Sequence, residues 1–137
     1  MDEMQKDQKD ASTHGSAQGA RSGAPLDDES LIELDQEVAQ LQADMSSEQS
    51  GRRSKMLVKY PEFRIVLITM RAGSQWEDHK TSARICLHLL RGHIRFHTPN
   101  KTVDLKAGQL LTLAPSVIHS VDALEDTAFL LTLSDQR

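Results

Sequence analysis

The chain changes its hydrophobic period once, near Lys55. Before that point apolar residues recur at steps of three and four; beyond it they alternate with polar ones. Leu31, Leu34, Val38, Leu41 and Met45 fall on a single helical stripe, so residues 27–45 predict one amphipathic helix. Ser30 and Glu33 have capping-box spacing, and Asp27, Asp28 and Glu29 place negative charge where a helix N-terminus favours it. The stripe predicts packing on the rest of the domain, within one protomer or a homodimer. Docking on a different partner chain is the alternative, because spacing alone does not separate the two.

Beyond Lys55 the pattern predicts short strands at Met56–Lys59, Phe63–Met70, 83–90, 93–98, 102–106, 109–114, 117–122 and 127–134. Pro61 suits a turn or strand edge between the first two. Ala72-Gly73-Ser74, Arg91-Gly92, Thr98-Pro99-Asn100 and Ala107-Gly108 supply turn chemistry between the others. Regular short strands with Gly or Pro turns predict an all-β antiparallel barrel or sandwich. Read as a two-residue turn, Arg91-Gly92 makes a hairpin in which Leu89 faces Ile94 and Leu87 faces Phe96. Ile85, Leu87, Leu89, Ile94 and Phe96 then share one face, and Cys86, His88, His93, Arg95 and His97 the other. That polar face reads as sheet surface or subunit contact, ahead of a transition-metal patch.

Composition sharpens the boundaries. Hydrophobic residues make up 38% of the 137, and the deficit is concentrated in residues 1–25, a polar, Gly- and Ser-containing tail predicted to be disordered. His14 lies within it and reads as a free surface histidine. The expected organisation is tail 1–25, helix 26–46, linker 47–54 and barrel 55–135. A net charge of −4 gives no field to hold a phosphate backbone, so nucleic acid is not an expected partner. Arg52, Arg53 and Lys55 form a short basic cluster read as solvated surface. The single cysteine, Cys86, excludes an intramolecular disulfide and suits a reducing compartment. Apolar runs such as Ile65–Ile68 are too short to span a bilayer, and the N-terminal segment lacks an apolar signal-peptide region. The expectation is a soluble, cytoplasmic protein with no membrane partner.

The stretch from Gly73 through Trp76, Glu77, Asp78, His79 and Thr81 to Ile85 and Gly92 resembles the first cupin motif, and Gly108 through Pro115 to His119 resembles the second. The resemblance covers roughly residues 56–134 and implies a single small cupin-like jelly-roll barrel, commonly homodimeric in such proteins. It also implies a metal site of three histidines and a glutamate. His79 and His119 match two of these ligands. Thr81 stands where the second histidine would be and Ile85 where the glutamate would be. Ala123 replaces a frequent asparagine and Val117 a frequent glycine. A hydroxyl is a poor ligand for a borderline divalent ion and Ile85 has no donor, so the expected site is degenerate, with at most a weakly bound divalent metal ion.

His79 and His119 then have three readings. They are inert, hydrogen-bonded residues of the barrel mouth; or a weak metal site completed by water, Glu77 or a ligand; or a metal-free acid–base pair. Alternation places Glu77 on the side of His79. Trp76, Glu77, Thr81 and Ile85 are the expected lining of a ligand pocket. Ser116 and Ser120 flank His119 without an identifiable orienting group. The readings of function follow: a non-enzymatic barrel binding an unidentified small molecule, a metal-dependent oxygenase or isomerase using His79 and His119, or a structural protein acting through the 27–45 helix.

Overall fold

The computed structural model describes residues 29–45 and 49–135. The tail 1–25 lies outside the described residues. One helix, α1 (Leu34–Asp44), precedes nine strands: β1 (Arg52–Lys59), β2 (Phe63–Met70), β3 (Gln75–His79), β4 (Arg84–Arg91), β5 (His93–His97), β6 (Thr102–Lys106), β7 (Leu110–Leu113), β8 (His119–Ala123) and β9 (Thr127–Ser134). They form a five-stranded sheet in the order β1-β2-β9-β4-β7 and a four-stranded sheet in the order β3-β8-β5-β6. All paired neighbours are antiparallel.

The alternation read from the sequence is what joins the sheets. Val66, Ile68, Ile85, Leu87, Leu89, Phe129, Leu131 and Leu133 from the larger sheet bury against Trp76, Ile94, Phe96, Leu105 and Val121 from the smaller one. Each fully buried aliphatic or aromatic side chain contributes roughly 1.5–3 kcal/mol relative to exposure, so neither inner face is stable uncovered.

The predicted β4–β5 hairpin does not form. β4 pairs with β9 and β7, whereas β5 pairs with β6 and β8. Arg91-Gly92 instead carries the chain from one sheet to the other. The inward and outward assignments of both strands are nonetheless as the alternation gives them: Ile85, Leu87, Leu89, Ile94 and Phe96 are all buried. Alternation records which face meets the core, not which strand lies alongside. The crossover needs glycine. Gly92 has φ +89°, and a Cβ there would sit 2.4 Å from both the Asp126 carbonyl oxygen and Thr127 Oγ1.

Helix α1 is shorter than the stripe predicts. Glu33 is its N-cap in an extended conformation and makes no side-chain capping bond, so Ser30 and Glu33 do not form a capping box. Leu31 lies ahead of the helix and is 85% exposed. Val38, Leu41 and Met45 are buried, and Val38 and Leu41 pack with Leu57, Leu67 and Ala128 on the outer face of the larger sheet. A partly buried ion pair between Lys55 and Glu37 joins helix to sheet. Arg71 donates to the Met45 carbonyl at 2.9 Å, which satisfies one acceptor of the helix C-terminus. The basic cluster is thus not a solvated patch: Lys55 is buried, and Arg52, assigned to the linker, opens β1.

The smaller sheet has a polar outer face. Arg95 Nε donates to Asp104 Oδ1 at 2.9 Å, with His93 Nε2 3.6 Å from Asp104 Oδ2. His97 Nε2 lies 2.8 Å from Asp122 Oδ2 and His97 Nδ1 lies 3.1 Å from Thr102 Oγ1. The hydrogen bond and charge of Arg95 hold the Asp104 carboxyl below the usual aspartate range.

Two outcomes follow. Gly92→Ala should lower unfolding stability by about 3 kcal/mol in urea denaturation, since it combines left-handed strain with a backbone clash; a loss within experimental error would contradict the crossover geometry. A folded-state pKa below the unfolded one stabilises above the unfolded value and is lost as pH falls through the folded value. Asp104 should therefore titrate by NMR below the ordinary aspartate pKa of about 3.9 and move up toward it in Arg95→Gln. An unchanged midpoint in that variant would show that Arg95 is not the cause.

Candidate functional site

The two histidines matched to the motifs meet inside the barrel. β3 and β8 pair Gln75 with Asp122, Trp76 with Val121, and His79 with His119, with a register shift between Trp76 and His79. Three residues on β3 therefore span the distance that two span on β8, which is a β-bulge. The extra residue turns both Trp76 and His79 inward although they are three apart, and both are buried. It also turns Glu77 and Asp78 outward, where both are exposed. The expectation that Glu77 sits beside His79 fails for this reason: alternation is interrupted at the bulge. What Glu77 gives His79 is its carbonyl oxygen, 2.7 Å from Nδ1.

His119 is held in the same way, with Nδ1 2.9 Å from the Val117 carbonyl oxygen. A carbonyl only accepts, so Nδ1 carries the proton in each ring and Nε2 carries the lone pair of the neutral imidazole. Both Nε2 atoms are buried. The two ring centroids are 4.2 Å apart with planes inclined at 62°. Trp76 stacks on His79 at 4.4 Å and Phe96 lies parallel to His119 at 5.3 Å. The Arg52 guanidinium lies over the Trp76 ring, 4.4 Å from its centroid, a cation–π contact. The indole nitrogen of Trp76 is buried and makes no hydrogen bond.

Thr81 and Ile85 are buried too, but in structural roles. Thr81 Oγ1 accepts from the Ala83 amide at 3.2 Å, and the Thr81 carbonyl accepts from the Ser116 amide at 2.8 Å. Thr81 thereby pins the loop that leads into β8. Ile85 is packed into the shared core. The left-handed backbone of that loop sits at Ser116, with φ 67°, one residue before the Val117 matched to the motif's glycine.

These residues do not fit a metal centre with three protein ligands. The pair offers two imidazole nitrogens, and the positions that would extend the set are a hydroxyl engaged with the backbone and an alkyl side chain. Among the described residues no group of three or more His, Cys, Asp or Glu is placed to hold a metal ion. The supposed patch of Cys86, His88, His93 and His97 does not exist as one surface. Cys86 and His88 lie on β4 of the larger sheet, while His93 and His97 lie on β5 of the smaller one.

Neither strand β3 nor the contacts of Arg52 with Trp76 and of Phe96 with His119 is expected from the sequence. The inward alternation of Phe96 was a usable signal. Nothing local announced the bulge or brought Arg52 to Trp76, which is 24 residues away in the chain.

No protein-family profile and no curated protein sequence matches the chain. Solved structures do. A conserved protein of unknown function from Streptococcus pyogenes superposes with a TM-score of 0.65 at 18% identity, over 83% of this chain and 94% of that one. An RmlC-like cupin from Shewanella frigidimarina gives 0.61 at 20% identity, over 66% of this chain and 82% of that one. A salicylate 1,2-dioxygenase variant from Pseudoaminobacter salicylatoxidans gives 0.66 at 14% identity, over 77% of this chain and 34% of that one. With its two antiparallel sheets around one core and its inward histidine pair, the chain has the cupin fold.

Proposed function

We propose that the interior of the barrel is a binding site, with no chemistry of its own, for a small, weakly polar molecule seated against Trp76, His79 and His119. The observation that carries this reading is the indole N–H of Trp76, a buried donor with no hydrogen-bond partner. Buried donors in native proteins are nearly always paired, so an unpaired one inside a barrel asks for an acceptor from a ligand. The neighbouring imidazoles present acceptor nitrogens in the tautomer that their Nδ1 bonds impose. A molecule with a hydroxyl or carbonyl group on an apolar body supplies the acceptor that the indole lacks, and barrel mouths are natural sites for such ligands.

A metal-dependent enzyme is the second reading. Its support is that both Nδ1 atoms bond backbone carbonyls, as in metal-binding histidines oriented by outer-shell acceptors. The ligand count weighs against it. The partner-docking reading loses its main support, since Val38 and Leu41 of α1 pack on the larger sheet.

Trp76 is the only tryptophan, so its fluorescence reports on the site directly. Cyclohexanol and benzyl alcohol should each give a saturable change in that fluorescence, equal before and after EDTA treatment. His79→Ala/His119→Ala should weaken binding by about fivefold or more, the loss of roughly one hydrogen bond. If neither probe perturbs Trp76, while elemental mass spectrometry finds near-stoichiometric metal that the double variant loses, the metal reading replaces this one.

A further inference from the structure

The outer face of the smaller sheet carries a second constellation. Asp122 on β8, His97 on β5 and Thr102 on β6 form one chain of hydrogen bonds. The Asp122 carboxylate only accepts, so His97 Nε2–H is the donor across 2.8 Å. In neutral His97 the lone pair is then on Nδ1, which accepts the Thr102 hydroxyl across 3.1 Å. A hydroxyl bonded to a base that a carboxylate orients is the arrangement that activates an oxygen nucleophile, and it is recognised by roles and geometry, not by residue order.

We propose that Thr102, His97 and Asp122 form an acyl-transfer site that hydrolyses small neutral esters. Thr102 Oγ adds to the ester carbonyl carbon as its proton passes to His97 Nδ1. The bond to the leaving alcohol breaks, and His97 returns the proton to that oxygen, which leaves an acyl group on Thr102. Water then attacks the acyl carbon with His97 again taking a proton, which it gives back to Thr102 Oγ as the carboxylic acid departs. The sum is ester plus water to acid plus alcohol, with no other reactant.

Placement supports access. Thr102 is exposed and lies on β6, the edge strand of its sheet. A cleft of about 360 Å³ lined by Gln75, Trp76, Ser120, His97 and Asp122 opens on the His97 and Asp122 end of the hydrogen-bond chain, with Thr102 outside its lining. Glu77 and Asp78 line the same cleft and disfavour an anionic substrate.

The competing account is a hydrogen-bonded clip that only laces three strands together. Diisopropyl fluorophosphate and p-nitrophenyl acetate separate the two. The site predicts one equivalent of phosphoryl adduct on Thr102 by peptide mass spectrometry, and a burst of p-nitrophenol. Thr102→Ser should keep the labelling and Thr102→Ala abolish it. Asp122→Asn should slow it about a hundredfold, the scale of a mispositioned general base, with circular dichroism confirming the fold. No adduct at residue 102, or labelling of Asp122→Asn at the unaltered rate, would overturn the proposal. Release of p-nitrophenol that survives Thr102→Ala would do the same, because ordinary surface imidazoles would then account for it.

Discussion

Two sheets share one apolar core here, and the chain must cross between them without exposing either inner face. The tightest crossing is at Gly92, where a strand of the larger sheet ends and a strand of the smaller one begins after a single residue. The step works because no side chain stands between that backbone and the Asp126 carbonyl. Strand order depends on it in turn. The last strand, β9, enters between β2 and β4, so the larger sheet closes only when the C-terminal residues arrive. Ile68 beside Phe129 and Leu89 beside Phe129 are adjacent in register on that central strand, far apart in sequence, and all buried.

The same core decides what the site can be. With Ile85 packed in the core and the Thr81 hydroxyl engaged by the Ala83 amide, two imidazoles and an indole are the ring nitrogens turned inward near that end. The bulge in β3 gives those groups their arrangement. Without it, Trp76 and His79 would point to opposite sides of the sheet. With it, a row of ring contacts, stacked at each end and edge-on between the two histidines, runs from Trp76 to Phe96, and the two acidic residues between Trp76 and His79 are turned out of the interior.

Much of this was legible from residue order, and the reasons it stopped being legible are specific. Period-two alternation gave the inward set of β4 and β5 correctly, because it depends only on each strand's own pleat. Pairing depends on strands distant in the chain, and so the hairpin was misread. The helix stripe gave Val38, Leu41 and Met45 correctly but overran its start at Leu31, since a start depends on capping geometry that Glu33 does not follow. His79 and His119 were visible through motif spacing. Glu77 was misplaced because an extra residue in a strand leaves no compositional mark. The Asp122–His97–Thr102 chain was hidden altogether: its members come from three strands whose adjacency only the sheet order reveals.

The account rests most heavily on the inward histidine pair being fixed with Nδ1 protonated and Nε2 as the acceptor. Long-range ¹H–¹⁵N correlation spectra of ¹⁵N-histidine-labelled protein at neutral pH read this directly. The structure predicts that His79 and His119 both give the Nδ1–H pattern, with Nε2 at the chemical shift of an unprotonated nitrogen. An Nε2–H tautomer on either ring would contradict it, for the carbonyls of Glu77 and Val117 would then not be holding the rings and the interior would present a donor where this account places an acceptor.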